Sequence, residues 1–425
     1  MSESLRDGVV WDDSGFECEP RWTSEPSLEA IKTVCQRTLQ IEPDDCSVSF
    51  LAQGAFNKIF TVHDGQQHKS VMRVSLPVEP GDKTSGEVAT LRWLEKSSSI
   101  PIPKVIAFDD ARGSEIGFEW ILMQLVPGTS ASRPWRKLSM DTKAALVQKI
   151  ASHHANMFNT STFRGIGTLK QHTAATGVQW EPGKMVSRLF FWGDHWKYDI
   201  PRGPFRSSHD WLKSFISIIL LDQKKAMDDA EDEEDRDDAE YNFRVAQALG
   251  DLLPKVFPSI QDPPERTVVW HDDLSLENIM VDQDGSLTGV IDWECVSAVP
   301  LWVATQMPKF LRGATREEEP RRDGYGDEDL DGVDAPDPEG DGLDNEGKNM
   351  LYWIHLMEYE QTQLRKVYSS YMSEHCAGWD AVVADSTLKL DFLGAIFRCA
   401  DGFYLKRIEK WAELVSKGEF SRLVQ

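Results

Sequence analysis

The chain has 425 residues, of which 40% are hydrophobic, so it can bury a large core and form two or three domains. Its formal net charge is -24 and it has no basic stripe, which argues against a nucleic-acid partner because such proteins neutralise phosphates with clustered Lys and Arg. No stretch approaches the about 18 to 20 consecutive apolar residues of a membrane helix, and the acidic N-terminus does not resemble a targeting signal, so we expect a cytoplasmic protein without membrane association.

Two acidic segments carry most of the negative charge. Ten acids and one base lie between residues 228 and 240, and fourteen acids and four bases lie between residues 315 and 348. Both segments contain few large apolar residues, so they bury too little surface to offset the entropy lost on ordering. We therefore predict that 228–240 and 315–348 are disordered, solvent-exposed insertions.

The first half of the chain has the pattern of a small β-sheet. After an N-terminal extension, residues 1–44, apolar alternation predicts two strands around a turn at Gly54, then a third strand in "KSVMRVSL". A helix in "TSGEVATLRWLEKS" and further strands up to "WILMQLVPG" follow. The prediction for residues 45–128 is a small antiparallel β lobe with one helix.

Helical periodicity dominates after Gly128. The apolar spacing predicts helices in 139–158, 209–227 and 241–257, and again in the last 75 or so residues. Residues 129–425 would therefore form a larger, mainly helical lobe. The predicted fold class is α+β with two lobes.

The segment "VVWHDDLSLENIMVDQDGSLTGVIDWE" contains the residues that suggest chemistry. His271, Asp273 and Asn278 have the H-x-D-x-x-x-x-N spacing of a kinase catalytic loop, and Asp292 follows the second of two short strands. Phosphoryl transfer needs a carboxylate that orients the nucleophile, oxygen ligands for magnesium and positive charge on the phosphates. The pattern predicts that Asp273, Asn278 and Asp292 converge on a metal-bound phosphate.

Together these features resemble the aminoglycoside phosphotransferase and choline kinase-like family, within the protein-kinase-like fold. The resemblance extends over roughly residues 45–310 and includes the catalytic segment in order. It implies a bilobal protein with ATP and Mg²⁺ as cofactors, which transfers the γ-phosphate to a hydroxyl group of a small-molecule acceptor.

The resemblance also assigns roles to individual residues. Asp273 would be the catalytic base, while Asn278 and Asp292 would be the magnesium ligands. His271 would be a structural brace of the loop. After Asp292 the chain has Trp293 and Glu294, where protein kinases have Phe and Gly. In this respect the sequence resembles the branch of the fold that acts on small molecules.

The small lobe departs from the family pattern at the phosphate-binding loop. The loop "LAQGAFNKIF" has a single glycine, Gly54, with Asn57 and Lys58 as further candidate phosphate contacts. An ordinary hairpin turn explains the same residues. In the hinge-like segment, the backbone of residues 123–125 (Met123, Gln124 and Leu125) would contact adenine, unless this is only a strand that ends in a turn.

A second departure is an arginine where a phosphate-binding lysine is expected. Arg73 stays charged and can grip phosphate with two parallel hydrogen bonds, although its planar fork is bulkier than an ammonium group. We expect Arg73 to pair with Glu87 and to contact the nucleotide phosphates. The alternative is that Glu87 only caps its helix together with Thr84.

Three other interpretations remain open from the residues alone. The first is a nucleotide-binding or scaffolding pseudokinase without turnover, and the second is a protein kinase. The third is a structural protein in which the H-x-D-x-x-x-x-N spacing occurs by chance. The acceptor is also open among amino sugars, choline-like amines and other metabolites. A cationic acceptor would fit only if the acids of the second half line the cleft.

Overall fold

The computed structural model describes residues 3–14, 18–65, 69–175, 177–259, 261–327 and 345–423. Within them the chain forms a β-rich lobe and a larger, mainly helical lobe, which confirms the predicted α+β class. The strands are β1 (Val9–Asp12), β2 (Glu19–Trp22), β3 (Ser47–Gln53), β4 (Asn57–His63), β5 (Lys69–Ser75), β6 (Val105–Asp109), β7 (Glu119–Gln124), β8 (Thr129–Ser130), β9 (Gly167–Ala174), β10 (Gly177–Pro182), β11 (Thr267–Trp270), β12 (Ile279–Val281), β13 (Leu287–Val290) and β14 (Ser297–Pro300). The helices are α1 (Leu28–Leu39), α2 (Asp82–Ser97), α3 (Met140–Thr160), α4 (Arg188–Phe191), α5 (Ser208–Asp229), α6 (Glu233–Val256), α7 (Met350–His375), α8 (Trp379–Ala400) and α9 (Leu405–Ser416).

The small lobe is built on an antiparallel sheet in the order β3-β4-β5-β7-β6. Its register places Arg73 of β5 between Ile59 of β4 and Ile121 of β7, so the arginine sits at the centre of the sheet. Helix α2 begins at Asp82, after Gly81, two residues before the predicted start. Thr84 therefore lies inside the helix, and the predicted capping box is wrong.

The N-terminal extension contributes a second helix to the small lobe. Ile31, Val34 and Cys35 of α1 are completely buried, in one apolar cluster with Phe60 and Met72 of the sheet. An apolar stripe spaced three and four residues apart packs against a sheet in this way. One face of α1 therefore belongs to the core of the small lobe.

The large lobe combines helices with two further sheets, in the orders β10-β9-β14-β11 and β13-β12-β8. β12 and β13 are antiparallel, with Ile279 opposite Val290, which matches the strand pair predicted for the catalytic segment. The helices predicted for the last 75 or so residues are α7, α8 and α9, with a turn at 401–404 between α8 and α9. None of the described helices is long and apolar enough to cross a bilayer.

The lobes are joined by a short segment that leads from β7 to β8. Gly128 in this segment has φ +103°, and a Cβ there would lie 2.3 Å from the Val281 carbonyl oxygen. Only glycine fits such a close approach of two backbones. The Thr288 hydroxyl donates to the Pro127 carbonyl at 2.6 Å, so this end of the segment is fixed to the β12–β13 pair.

The first acidic segment is helical, and the prediction of disorder for 228–240 is wrong. α5 continues to Asp229, and the Asp232 side chain caps α6 by accepting a hydrogen bond from the Asp235 N–H at 2.9 Å. Acids in the first turn of a helix interact favourably with its dipole, and the buried face of α6 anchors the rest. Of the second segment, residues 328–344 lie outside the described residues, while Asp327 forms a β-bridge with Lys348.

The burial of α1 predicts a stability effect that depends on the face of the helix. Ile31→Ala should lower the free energy of unfolding by about 2–5 kcal/mol, because it leaves a cavity in the core. Leu28→Ala, on the same helix but 48% exposed, should change it by less than about 0.5 kcal/mol. Urea unfolding of both variants measures the difference, and equal midpoints would show that α1 does not pack as described.

Candidate active site

The loop between β11 and β12 carries the first part of the predicted motif. His271 donates from Nε2 to the Ile291 carbonyl at 3.0 Å, and its ring packs edge-on against Trp293 with centroids 4.8 Å apart. These contacts join the loop to the chain that carries Asp292. His271 therefore has the position expected of a brace.

Asp273 and Asn278 lie next to each other in this loop. The Asn278 amide Nδ2 donates to the Asp273 carbonyl at 2.8 Å and is 3.4 Å from Asp273 Oδ2. Within the described chain the Asn278 amide oxygen accepts no hydrogen bond, so it is free to bind a cation. The Asp273 Oδ1 pairs with the Lys309 ammonium at 2.5 Å, and both side chains are about half exposed.

Asp292 follows β13 in an unusual backbone conformation. Its φ of +63° is left-handed, which costs a non-glycine residue of order 1–3 kcal/mol and is most frequent at functional sites. The Ile291 N–H donates to the Asn278 carbonyl at 2.9 Å, so Asp292 and Asn278 lie at adjoining ends of paired strands. Burial raises the pKa of Asp292, and the Arg73 guanidinium opposes this shift.

Arg73 connects three carboxylates across the two lobes. Its Nη1 lies 2.6 Å from Glu87 Oε1, and its Nη2 lies 3.1 Å from Asp292 Oδ1. The same Nη2 lies 2.6 Å from Glu294 Oε2. Glu87 therefore pairs with Arg73, as expected. Burial raises the pKa of Glu87 to about 7, and the Arg73 guanidinium opposes this shift.

Glu294 receives two more donors from the small lobe. The Lys83 ammonium lies 2.6 Å from its Oε2, and the Asn57 amide donates to the same atom at 2.8 Å. Although burial opposes ionisation, Lys83 and Arg73 lower the pKa of Glu294 to about 2. Sequence reasoning missed Lys83. Its position four residues before Glu87, on the same helix face, was the available signal.

Three of the expected nucleotide contacts have other partners. Lys58 pairs with Glu25, and its ammonium lies 4.9 Å from the centre of the Trp22 ring. The N–H groups of Gln124 and Leu125 donate to the Lys104 and Lys69 carbonyls at 2.9 and 3.1 Å, so neither N–H group is free to donate to adenine.

One cavity of about 1020 Å³ lies between the lobes. Apart from Lys58 and from His271, which is buried behind the loop, all of the predicted site residues line it. Gly54 is at its edge, where the Gly54 N–H donates to the Asn57 carbonyl at 2.9 Å and closes the β3–β4 turn. The carboxylates, the amide and the buried arginine therefore face one space.

The donor set fits magnesium only in part. The described residues contain no group of three or more His, Cys, Asp or Glu side chains that could hold a metal ion. Asp292 and Asn278 offer two oxygen donors, which suits Mg²⁺ because it commonly keeps its waters and shares phosphate oxygens. The site therefore fits a magnesium ion that arrives with a nucleotide.

Comparison with known proteins identifies the family. The model of the phosphotransferase enzyme family matches residues 47–303, about three fifths of the chain. This match spans the sheet of the small lobe, the catalytic loop and the β12–β13 pair. The chain belongs to the phosphotransferase enzyme family, which confirms the resemblance found in the sequence.

The curated relatives are distant. A subtelomeric hrmA-associated cluster protein of Aspergillus fumigatus is 25% identical over 314 residues, which cover 64% of this chain and 62% of the relative. Clavilactone A biosynthesis cluster protein Y of Ampulloclitocybe clavipes is 26% identical over 268 residues, which cover 59% and 60%. The chain thus spans about three fifths of these relatives' own length. Choline kinase from Cryptosporidium parvum Iowa II aligns over 93% of this chain and 98% of its own, with 13% identity and a TM-score of 0.44.

The ionisation of Glu294 predicts a specific pH dependence. Its pKa is about 2 when folded and 4.5 ordinarily, so its contribution to stability is present above pH 4.5 and is lost as the pH falls through that window. Wild type should be more stable than Glu294→Gln near neutral pH. The difference should shrink by up to about 3 kcal/mol between pH 4.5 and 2.

Chemical denaturation at a series of pH values measures this convergence. Glu42→Gln is the control, because Glu42 is exposed and forms no ion pair within the described residues, so its removal should not change the pH dependence. A difference between wild type and Glu294→Gln that does not change with pH would contradict the assignment.

Proposed function

We propose that this protein is an ATP- and magnesium-dependent phosphotransferase that moves the γ-phosphate to a hydroxyl group of a small molecule. The observation that carries the proposal is the presence of Asp273, Asn278 and Asp292 around one interlobe cavity, with Arg73 buried beside them. Membership of the phosphotransferase enzyme family supports the reaction class.

The proposed chemistry uses each group in a way that its surroundings allow. Asp273, half exposed at the cavity, accepts a hydrogen bond from the acceptor hydroxyl and takes its proton as the phosphoryl group is transferred. Asn278 and Asp292 hold the magnesium ion, which neutralises charge on the phosphates when bound. Arg73 adds a fixed positive charge at the phosphate end of the cavity.

Nucleotide binding requires an exchange of ion-pair partners. The Asp292 carboxylate is paired with Arg73, and the Asp273 carboxylate is paired with Lys309. Phosphate oxygens compete well for arginine and lysine because their hydrogen bonds are charge-assisted. In the proposed complex, both cations turn to the phosphates and both carboxylates become available for the metal and the acceptor.

The same two ion pairs favour a second candidate function. A nucleotide-binding or scaffolding pseudokinase would keep Asp273 and Asp292 neutralised by Lys309 and Arg73 and would not turn over. The two functions differ in whether bound ATP is hydrolysed, since a kinase slowly transfers phosphate to water when no acceptor is present.

Two asparagine variants separate the two functions. Asp292→Asn should lose most of the magnesium-dependent thermal stabilisation by ATP, because it removes a charged metal ligand. Asp273→Asn should keep the stabilisation but lose ADP release by about 10²- to 10⁴-fold, because the base is gone. The matched control is Asp284→Asn in the exposed β12–β13 turn, which should behave as wild type.

ADP release and thermal shift with ATP, with and without Mg²⁺, give both measurements. Magnesium-dependent binding of ATP without ADP release from the wild type, across a panel of acceptors, would favour the pseudokinase. No stabilisation by ATP at any Mg²⁺ concentration would reject nucleotide binding altogether.

Substitution of Arg73 tests its phosphate role. Lysine keeps the charge but has no planar fork, so Arg73→Lys should weaken ATP binding, and Arg73→Ala should weaken it further. Arg73→Ala also leaves buried carboxylates without their partner, which should cost about 3–5 kcal/mol of stability. Arg37→Ala, which breaks an exposed pair, is the control for loss of an arginine. Isothermal titration with ATP measures the affinities, and unchanged values for both Arg73 variants would show that Arg73 is structural.

A further inference from the structure

We propose that the acceptor is an alcohol with an apolar, aromatic-sized body and no net positive charge. It would bind in the part of the cavity walled by helices α5 and α8, which we call the acceptor pocket. This inference rests on the proposed phosphotransferase function, because it names the substrate class for the same site.

The walls of the acceptor pocket are apolar and aromatic. α5 contributes Trp211 and Phe215, and α8 contributes Leu393 and Phe397. The ring centroids of Phe215 and Phe397 are 5.9 Å apart, and those of Trp211 and Phe215 are 5.4 Å apart. Phe397 is 43% exposed and lines the cavity, so part of its ring is open to a ligand.

The acceptor pocket is continuous with the catalytic loop. After β14 the chain makes two short 3₁₀ turns, at Val303–Thr305 and Lys309–Leu311. Val303, Gln306 and Lys309 follow at intervals of three residues and all line the cavity. Because Lys309 contacts Asp273, this segment leads from the helical wall to the carboxylate that would receive the hydroxyl proton.

The charges around the acceptor pocket do not suit a cationic acceptor. The charged residues around the catalytic loop at this end of the cavity are Asp272 and Asp273, with Lys309 and Arg312 as the nearby cations. Among the described residues, α5, α8 and the 303–312 segment add no carboxylate to the lining. Cationic acceptors need carboxylates to replace water around each ammonium group, whereas an apolar body needs only an apolar surface.

The acidic segment 228–240 lies elsewhere in the fold. Its residues Asp229, Glu231, Asp235 and Asp238 line a separate cavity of about 590 Å³, between the end of α5 and the start of α6. The sequence alone left a cationic acceptor open only if such acids line the cleft. The acids of segment 228–240 do not line the cavity between the lobes.

Gly394 offers a way to fill the acceptor pocket without disturbing the fold. It lies within α8 and lines the cavity, and a Cβ there would meet only the end of the flexible Arg398 side chain, at 3.3 Å. Replacing a glycine in a helix also raises helix propensity. Gly394→Ala adds one methyl group, while Gly394→Leu extends an isobutyl group, so the pair varies size at one position.

The test measures ADP release with 4-alkylbenzyl alcohols of graded chain length. Each is compared with the analogue that carries an amino group at the end of the same chain. We expect kcat/KM to be at least tenfold higher for the neutral alcohols. Gly394→Leu should reduce it at least tenfold for the longer alcohols, with a smaller loss in Gly394→Ala and the KM for ATP unchanged. Ala384→Leu, on the exposed face of the same helix and outside the cavity lining, is the matched control and should behave as wild type. Quenching of tryptophan fluorescence by the same alcohols without ATP gives a readout independent of turnover.

The outcomes separate the inference from the proposed function. A preference for the amino analogues, or selectivity unchanged in Gly394→Leu, overturns the apolar acceptor. Magnesium-dependent ATP hydrolysis that Asp273→Asn abolishes, without transfer to or binding of any of these alcohols, also overturns it but leaves the phosphotransferase in place. Failure to bind ATP rejects both.

Discussion

A buried cluster of charges holds the two lobes together and shapes the site. Arg73 and Lys83 come from the small lobe, while Asp292 and Glu294 come from the large lobe. Buried ions cost several kcal/mol each unless they are paired and hydrogen-bonded, so every member requires the others. Glu294 meets this requirement most fully, since Arg73, Lys83 and Asn57 all donate to one of its oxygens. The position of α2 and β5 over the catalytic loop is therefore fixed by electrostatics as well as by apolar packing.

The features that the sequence predicted are those with local causes. The strands around Gly54, the helix that follows β5 and the β12–β13 pair each depend on alternation, periodicity or a turn within a few residues. The spacing of Asp273 and Asn278 is also local, so the motif could be recognised and its loop geometry anticipated. The pairing of Arg73 with Glu87 was expected because Arg73 stands where the family pattern has a phosphate-binding lysine, and the two side chains do meet.

The features that were missed depend on contacts between distant parts of the chain. Lys83 could be linked to Glu294 only by knowing how the lobes meet, and Lys309 reaches Asp273 through two irregular turns that have no periodic signal. The acidic run at 228–240 has the composition of a disordered segment, but its ends belong to α5 and α6, whose buried residues, apart from Ala239, lie outside the run. Composition describes a window of residues, whereas the helices are stabilised beyond it.

The fixed end of the connection between the lobes limits how the cleft can open. Gly128 touches the backbone of Val281, and Pro127 accepts a hydrogen bond from Thr288, so the connection is attached to the strands that carry Asn278 and Asp292. Leu125 is bonded through its N–H to the Lys69 carbonyl of the small lobe, so only a few backbone torsions between Leu125 and Pro127 are left for rotation of that lobe. Such a pivot lies beside the catalytic strands, so a rotation would move the far rim of the cleft through a wide arc and the residues next to the hinge very little.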